Sequence, residues 1–400
     1  MTPIPGATSA DLKSFYDVIV VGAGVQGLAL AYELAQRSAG RIAVVDAGYP
    51  GSGASGRNGE LIRSAFSAVP WIRLLDHSVR RWPDLSAKLD FNVLHTSGGY
   101  TVIASTEDDL IRCQAAVRRQ REWGLSTRLV DADDVRELVP AIAPDVVLGG
   151  VHQPNGGYAH HDAVVWAYAR AAARHGVEIH PYTTVRGVVT RGGAVCGVTT
   201  DRGRTSTPLV VNAAGAFGRE VAALAGVELP VERCRIQALV TESVRPFMRT
   251  AISPISLHGY GHQTSRGEFV GGTEFETPDH SDSLRGTRAS LIDMAQKFVR
   301  LIPQLAGVSV VRHWAGLVGQ TADMGPVLGP VPEVHGLYLS CGWLYGFMAA
   351  PGASELLAEA IVTGRVPELI EPFDIGRLRS GDLILDDSLI QKPQALGAAA

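Results

Sequence analysis

Three glycines, Gly22, Gly24 and Gly27, follow a β-branched run (YDVIVV, residues 16–21) and precede helically spaced apolar residues at Leu28, Leu30, Ala31 and Leu34. Each glycine there has a separate task. Gly22 permits a tight turn off the strand, Gly24 lets backbone N–H groups approach a pyrophosphate, and Gly27 lets the helix pack against the sheet. The turn, completed by Ala23, Val25 and Gln26, points the partly positive N-terminus of a helix at phosphate. A second buried run, RIAVV at residues 41–45, ends on Asp46 and Ala47. An acid at that point accepts hydrogen bonds from a ribose 2′-OH and disfavours a 2′-phosphate. Strand, glycine turn, helix, strand and acid in this order predict a dinucleotide site, and both NAD and FAD use such a turn.

The loop after the acid narrows the choice. Residues 51–59 read GSGASGRNG, too polar for a core. Ser55, Gly56, Arg57, Asn58 and Gly59 can run their backbone along a ribityl chain and a flavin edge, which favours FAD.

The elements that must position these groups can be outlined. Runs at 208–214 (PLVVNAA) and 336–340 (GLYLS) predict two more buried strands, the second leading to a helix near 354–362. Alternation at 98–104 and 234–241 predicts further strands, and the spacing at 288–301 predicts a helix. The expected fold is α/β with an α+β insert. A Rossmann-type FAD-binding domain would be assembled from residues 14–90, 145–230 and 310–387. A mixed-sheet substrate domain would come from 91–144 and 231–309, leaving a small alanine-rich tail at 388–400.

Composition excludes other classes. With 46% hydrophobic and 19% charged residues, the 400-residue chain reads as globular. A net charge of −4 without a long basic run argues against a nucleic-acid groove or a polybasic membrane patch. Cys113, Cys196, Cys234 and Cys341 form no C-x-x-C pair, so no metal or iron–sulfur site of the chain's own is expected. No stretch of ~20 residues stays apolar, and the first apolar run leads into glycines instead of a cleavage site. The expectation is a cytoplasmic chain with neither membrane span nor signal peptide.

Three stretches, ASGRNG (54–59), NAAG (212–215) and CGWLYGFMAAPG (341–352), resemble the D-amino-acid oxidase superfamily of FAD-dependent amine oxidoreductases. Within it, the chain is most similar to the β subunits of heterotetrameric sarcosine oxidases. That likeness is carried by GRNGELIRSAF (56–66), LDFNVL (89–94), AHHDAVVWAYARAA (159–172), QALVTE (237–242), HGYGHQ (258–263) and WAGLV (314–318). It spans about residues 16–387.

The resemblance implies FAD contacts from Val185, from Ala213, Ala214 and Gly215, and from Gly342, Trp343, Gly346 and Phe347. A helix starting after Pro351 and Gly352 would aim its N-terminus at the flavin pyrimidine ring, where it stabilises the charge of reduction. Arg63 is implied as the clamp on a substrate carboxylate, with Arg57 as the alternative. His258 and Tyr260 would orient the amine or its carboxylate. A second flavin is implied as well, because the related subunits bear FMN covalently on the histidine of an RHD sequence. Here His161 and Asp162 stand in register with that HD, and His160 replaces the arginine. Asp162 would hold the imidazole tautomer that leaves the other nitrogen nucleophilic. Where the oxidases carry a lysine close to the flavin, this chain has Met348, in a segment one residue shorter around Gly346. Without that cation, poor reaction with oxygen is expected.

The expected activity is oxidation of a small amino acid or secondary amine (sarcosine-, proline- or glycine-like) by hydride transfer to FAD. The chain would be the catalytic subunit of a multi-subunit dehydrogenase, with electrons leaving through FMN or a partner subunit's iron–sulfur centre. An amine oxidase making hydrogen peroxide and a non-catalytic flavin-binding scaffold are the alternatives, with an NAD-linked dehydrogenase third.

Overall fold

In Val18–Val21 every side chain is β-branched and every one is buried, as in a parallel strand covered on both faces. This strand lies inside a six-stranded sheet of a computed structural model that describes residues 6–8, 11–273 and 282–386. The alanine-rich tail lies outside the described residues. The sheet order is Val327–Pro330, Leu337–Cys341, Val210–Asn212, Val18–Val21, Ile42–Val45 and Glu178–His180. All neighbours run parallel except the first pair. Helices Val25–Gln36, His161–Arg174 and Gly346–Thr363 cover one face, with Trp71 and Trp82 buried among them. An antiparallel sheet of Val185–Arg191, Ala194–Thr200 and Gly203–Ser206 covers the other, and Val188, Val195 and Val198 share a core with Ile19 and Val45.

A second, mixed sheet of eight strands follows the order Val310–Gln320, Glu232–Ser243, Glu268–Thr273, Gly259–Gln263, Ala251–Pro254, Tyr100–Ala104, Gly149–Gln153 and Arg128–Asp131. Helix Arg288–Leu301, whose bounds match the sequence reading, places Met294 and Phe298 against Leu239 and Phe269 of this sheet. The sequence reading includes residues 149–153 and 310–320 in the cofactor domain, yet their ladder hydrogen bonds lie in this larger sheet. The physical reason is that Val310–Gln320 is long. It begins exposed at Val310 and Val311 and ends on the cofactor cavity at Leu317 and Val318.

The late helix also differs from expectation. It begins at Gly346, so Pro351 lies inside it. Proline there removes one ladder donor, and the neighbouring helix Val69–Val79 accommodates the disturbance. Ser78 Oγ donates to the Met348 carbonyl at 2.7 Å and accepts from the Gly352 N–H at 3.1 Å. Trp82 Nε1 donates to the same carbonyl at 3.0 Å. A Cβ at Gly352 would lie 2.8 Å from the Ser78 Cα, so the two helices touch only because that position has none.

Candidate active site

The turn after the first strand is built for close backbone approach. Gly22 has φ +114°, and a Cβ on it would lie 2.3 Å from the Ala213 carbonyl oxygen. A Cβ on Gly27 would lie 2.0 Å from the Gly22 oxygen. Gly24 is different: its Cβ would meet only Ser55 Oγ, at 3.1 Å, and would intrude on the cavity that Gly24 lines. Gly24 is also the N-cap of helix Val25–Gln36 and supplies no side-chain cap. Ser55 Oγ accepts from the Val25 N–H at 2.9 Å, bringing the 54–59 loop onto the helix end. Asp46 accepts from the N–H groups of Ala23 (2.6 Å) and Gly48 (2.7 Å). Burial pushes its carboxyl up, against the pull of those two amides. Amides at a helix N-terminus and a carboxylate one strand away suit the pyrophosphate and ribose of FAD.

The flavin loop is held by its own side chains. Asn58 Nδ2 donates to the Ser55 carbonyl at 2.5 Å, and Asn58 Oδ1 accepts from the Glu60 N–H at 2.7 Å. Arg57 donates to the carbonyls of Ser52 and Gly53, while Trp314 Nε1 donates to the Arg57 carbonyl at 3.0 Å. One nitrogen of the Arg57 guanidinium thus ties its own loop together, while the residue also lines the cavity. Gly59 lies so close to the Tyr260 ring that a Cβ would come within 2.1 Å of it.

Both sheets contribute to a cavity of about 1360 Å³. Its wall carries Val21, Ala47, Val185, Ala213, Ala214, Gly215, Trp343, Gly346, Phe347 and Met348, together with the groups already described. Ala23, Gly27, Gly56 and Gly342 do not line it; they sit behind the wall and shape its turns. Gly342 has φ +71° and Gly215 φ +58°, the left-handed region that suits glycine. Helix Gly346–Thr363 begins on the cavity wall with no side-chain cap from Tyr345, an arrangement that suits negative charge in that part of the cavity. These features fit FAD.

Beyond the loop, Arg63 is only 2% exposed yet lines the cavity. Its Cζ lies 4.0 Å from the Phe66 ring centre, 5.3 Å from that of Tyr100 and 5.2 Å from that of Tyr345. One N–H donates to the Ala65 carbonyl at 3.2 Å. Among the described residues it pairs with no carboxylate. Tyr260 stands half-buried on strand Gly259–Gln263, also on the wall. His258 is exposed in the turn before that strand, with φ +45°, at the cavity's rim. Phe66, Tyr100 and Tyr345, which wall in Arg63, are not among the site residues that the sequence singles out.

His161 lies off this wall, at the start of helix His161–Arg174. Its Nδ1 is 2.6 Å from Glu60 Oε1, and its backbone N–H donates to the same oxygen at 3.2 Å. Glu60 Oε2 lies 3.2 Å from Nε2 of the buried His262. Asp162 Oδ1 is 3.7 Å from His161 Nε2, beyond hydrogen-bond reach. The acid that orients this imidazole is therefore Glu60, not Asp162. Burial alone would raise the Glu60 carboxyl, but hydrogen bonds from His161 and His262, and their charges, hold it well below its usual range. His160 stacks on His161 and completes a group of three potential ligands within 4.8 Å of one another.

Comparison with known proteins agrees with this geometry. A family model described as FAD dependent oxidoreductase matches residues 17–360. The chain is 33% identical over 389 residues to the sarcosine oxidase subunit beta of Rhodobacter capsulatus, covering 95% of this chain and 92% of that one. It is equally 33% identical to the protein of the same name from Arthrobacter sp., over 93% of each. The crystal structure of L-proline dehydrogenase from P. horikoshii has a TM-score of 0.89 at 28% identity, covering 93% of this chain and 100% of that one. Glycine oxidase from Geobacillus kaustophilus, at 24% identity and a TM-score of 0.84 over 91% and 99% of the two chains, shares the fold. A glycine turn, a polar loop and two helix N-termini on one cavity, with relatives matched across nearly the whole length, make this chain a member of the FAD dependent oxidoreductase family.

Proposed function

We propose that the chain oxidises a small amino acid or secondary amine beside its carboxylate, by hydride transfer to FAD, as the catalytic subunit of a multi-subunit dehydrogenase. The observation that carries this reading is Arg63. A buried guanidinium without a counter-ion is unfavourable, and an arriving carboxylate completes it through two parallel N–H bonds. Phe66, Tyr100 and Tyr345 exclude water around that pair and strengthen it. The carboxylate so held directs the adjacent C–N bond into the cavity, with Tyr260 on the wall and His258 at the entrance. FAD, when bound, supplies the hydride acceptor. Sarcosine, glycine and proline, which appear in the relatives' names, each carry a carboxylate one carbon from the amine.

Two further parts belong to the same reading. Met348, in place of a cation, favours a dehydrogenase over an oxidase. His161 serves a second flavin, FMN, next to a partner subunit, from which electrons pass onward to an acceptor such as a partner's iron–sulfur centre. Among the described residues no helix is long and apolar enough to cross a membrane.

Anaerobic mixing of the purified yellow protein with sarcosine, L-proline or glycine tests the reading. Bleaching of the flavin absorbance by at least one of them is expected. Bleaching by none would favour a flavin-binding scaffold, and peroxide release in air at the rate of substrate turnover would favour an oxidase.

A further inference from the structure

Glu60 joins two regions that the sequence keeps apart. The residue lines the FAD cavity, yet both of its carboxyl oxygens are taken by histidines of other elements. Its backbone is strained, with φ +65° in a residue that has a side chain. The strain is held in place from both sides: Asn58 Oδ1 accepts from the Glu60 N–H at 2.7 Å, and the Glu60 carbonyl accepts from the Ala159 N–H at 3.0 Å. We infer that Glu60 is the positioning residue that fixes His161 with hydrogen on Nδ1 and turns Nε2 outward to meet the second flavin; the flavin part rests on the function proposed above.

Donors and acceptors decide the tautomer. An ionised carboxylate only accepts, so at 2.6 Å the hydrogen must be on Nδ1 of His161. In the neutral ring the lone pair is then on Nε2, which has no hydrogen-bond partner among the described residues. The His160 ring, stacked at 5.0 Å and 18°, fixes the plane of the imidazole. His262 secures the other side of the clamp: it is fully buried, its ring lies 4.3 Å from that of Tyr158 at a tilt of 31°, and its Nδ1 has no partner among the described residues, so Nε2 carries the hydrogen toward Glu60. Free histidine prefers hydrogen on Nε2, so the predicted state of His161 is the reverse of its intrinsic choice. That reversal makes the state diagnostic.

The test uses the full-length flavoprotein with ¹⁵N-labelled histidine, the His161 signals being assigned by their loss in His161→Asn. In the wild type, His161 Nδ1 should resonate as a hydrogen-bearing nitrogen from neutral to alkaline pH. In Glu60→Gln, it should shift toward the lone-pair type above neutral pH, with His262 shifting too. Glu60→Asp, which keeps the charge, should partly restore the wild-type state. FMN and FAD per chain are measured on the same samples, and FMN should fall several-fold in Glu60→Gln while FAD is retained. A lone pair on Nδ1 in the wild type, or unchanged signals in Glu60→Gln, overturns the positioning role. FAD without FMN in the wild type overturns the second-flavin reading and removes that part of the inference, while the nitrogen assignment is judged by its own signals.

Discussion

Gln26 Nε2 donates to the carbonyl oxygen of Gly346 at 2.6 Å, a bond between residues 320 positions apart in the chain. Ser354 Oγ adds a second tie, to the Gln26 carbonyl at 3.3 Å. The N-termini of helices Val25–Gln36 and Gly346–Thr363 are thereby fastened side by side on the cavity. One suits the pyrophosphate and the other the reduced flavin ring, so the spacing between the two charges is set by protein contacts before FAD enters.

Replacing Gln26 with leucine should loosen this spacing. Loss of one buried neutral hydrogen bond is worth about 1 kcal/mol, or roughly a five-fold change in an equilibrium constant. Titration of the apoprotein with FAD should show weakening of that order. Unchanged affinity would mean that the bond does not prepare the site.

Two glycines of the same turn should behave oppositely. Gly27→Ala drives a Cβ into the Gly22 carbonyl, 2.0 Å away, and should destabilise the apoprotein by about 1–3 kcal/mol or more. Gly24→Ala adds a Cβ that meets only Ser55 Oγ, so apoprotein stability should stay close to the wild type while FAD binding weakens at least about ten-fold. Thermal unfolding of both apoproteins, paired with FAD titration, separates the two effects. Equal losses of stability would contradict the assignment of Gly24 to the phosphate path.

Much of this turn was legible in the sequence because it is local: strand, glycines, helix and acid lie within one βαβ unit, and Arg63 follows within the next loop. The rest depends on distance along the chain. Glu60 meets His161 across 101 positions and His262 across 202, so nothing next to His161 signals its partner, and the adjacent Asp162 looks like the natural choice. The aromatic slot around Arg63 likewise gathers Phe66, Tyr100 and Tyr345 from three elements. Pro351 suggested a helix start because proline usually occupies a first turn. Ser78, on another helix, is what lets the helix begin earlier.

The hydrogen-bond clamp on Glu60 gives stability a pH signature. Its carboxyl is held below the unfolded value, which is near ~4.3. The ionised form therefore contributes stability above that pH, and the contribution is lost as pH falls toward the lower folded value. The stability gap between wild type and Glu60→Gln, from denaturant unfolding, should be widest near neutrality and should shrink below about pH 4. A gap that grows toward acid would contradict the clamp.

Met348 gives the oxygen prediction. The residue is buried on the cavity wall and brings no charge to the flavin region. A lysine there would stabilise negative charge developing on dioxygen. Reoxidation of the reduced protein in air should be slow in the wild type and about ten-fold or more faster in Met348→Lys. Fast wild-type reoxidation, unchanged in the variant, would place oxygen control elsewhere.

Anaerobic flavin reduction measures directly whether Arg63 receives the substrate carboxylate. The concentration of the best amino-acid substrate needed for half-maximal reduction should rise about 10- to 100-fold in Arg63→Met, the loss of a charged hydrogen-bond pair. Reduction by an amine of similar size without a carboxylate should be poor in the wild type and no poorer in the variant. Half-reduction of Arg63→Met at the wild-type concentration of the amino acid would contradict the account.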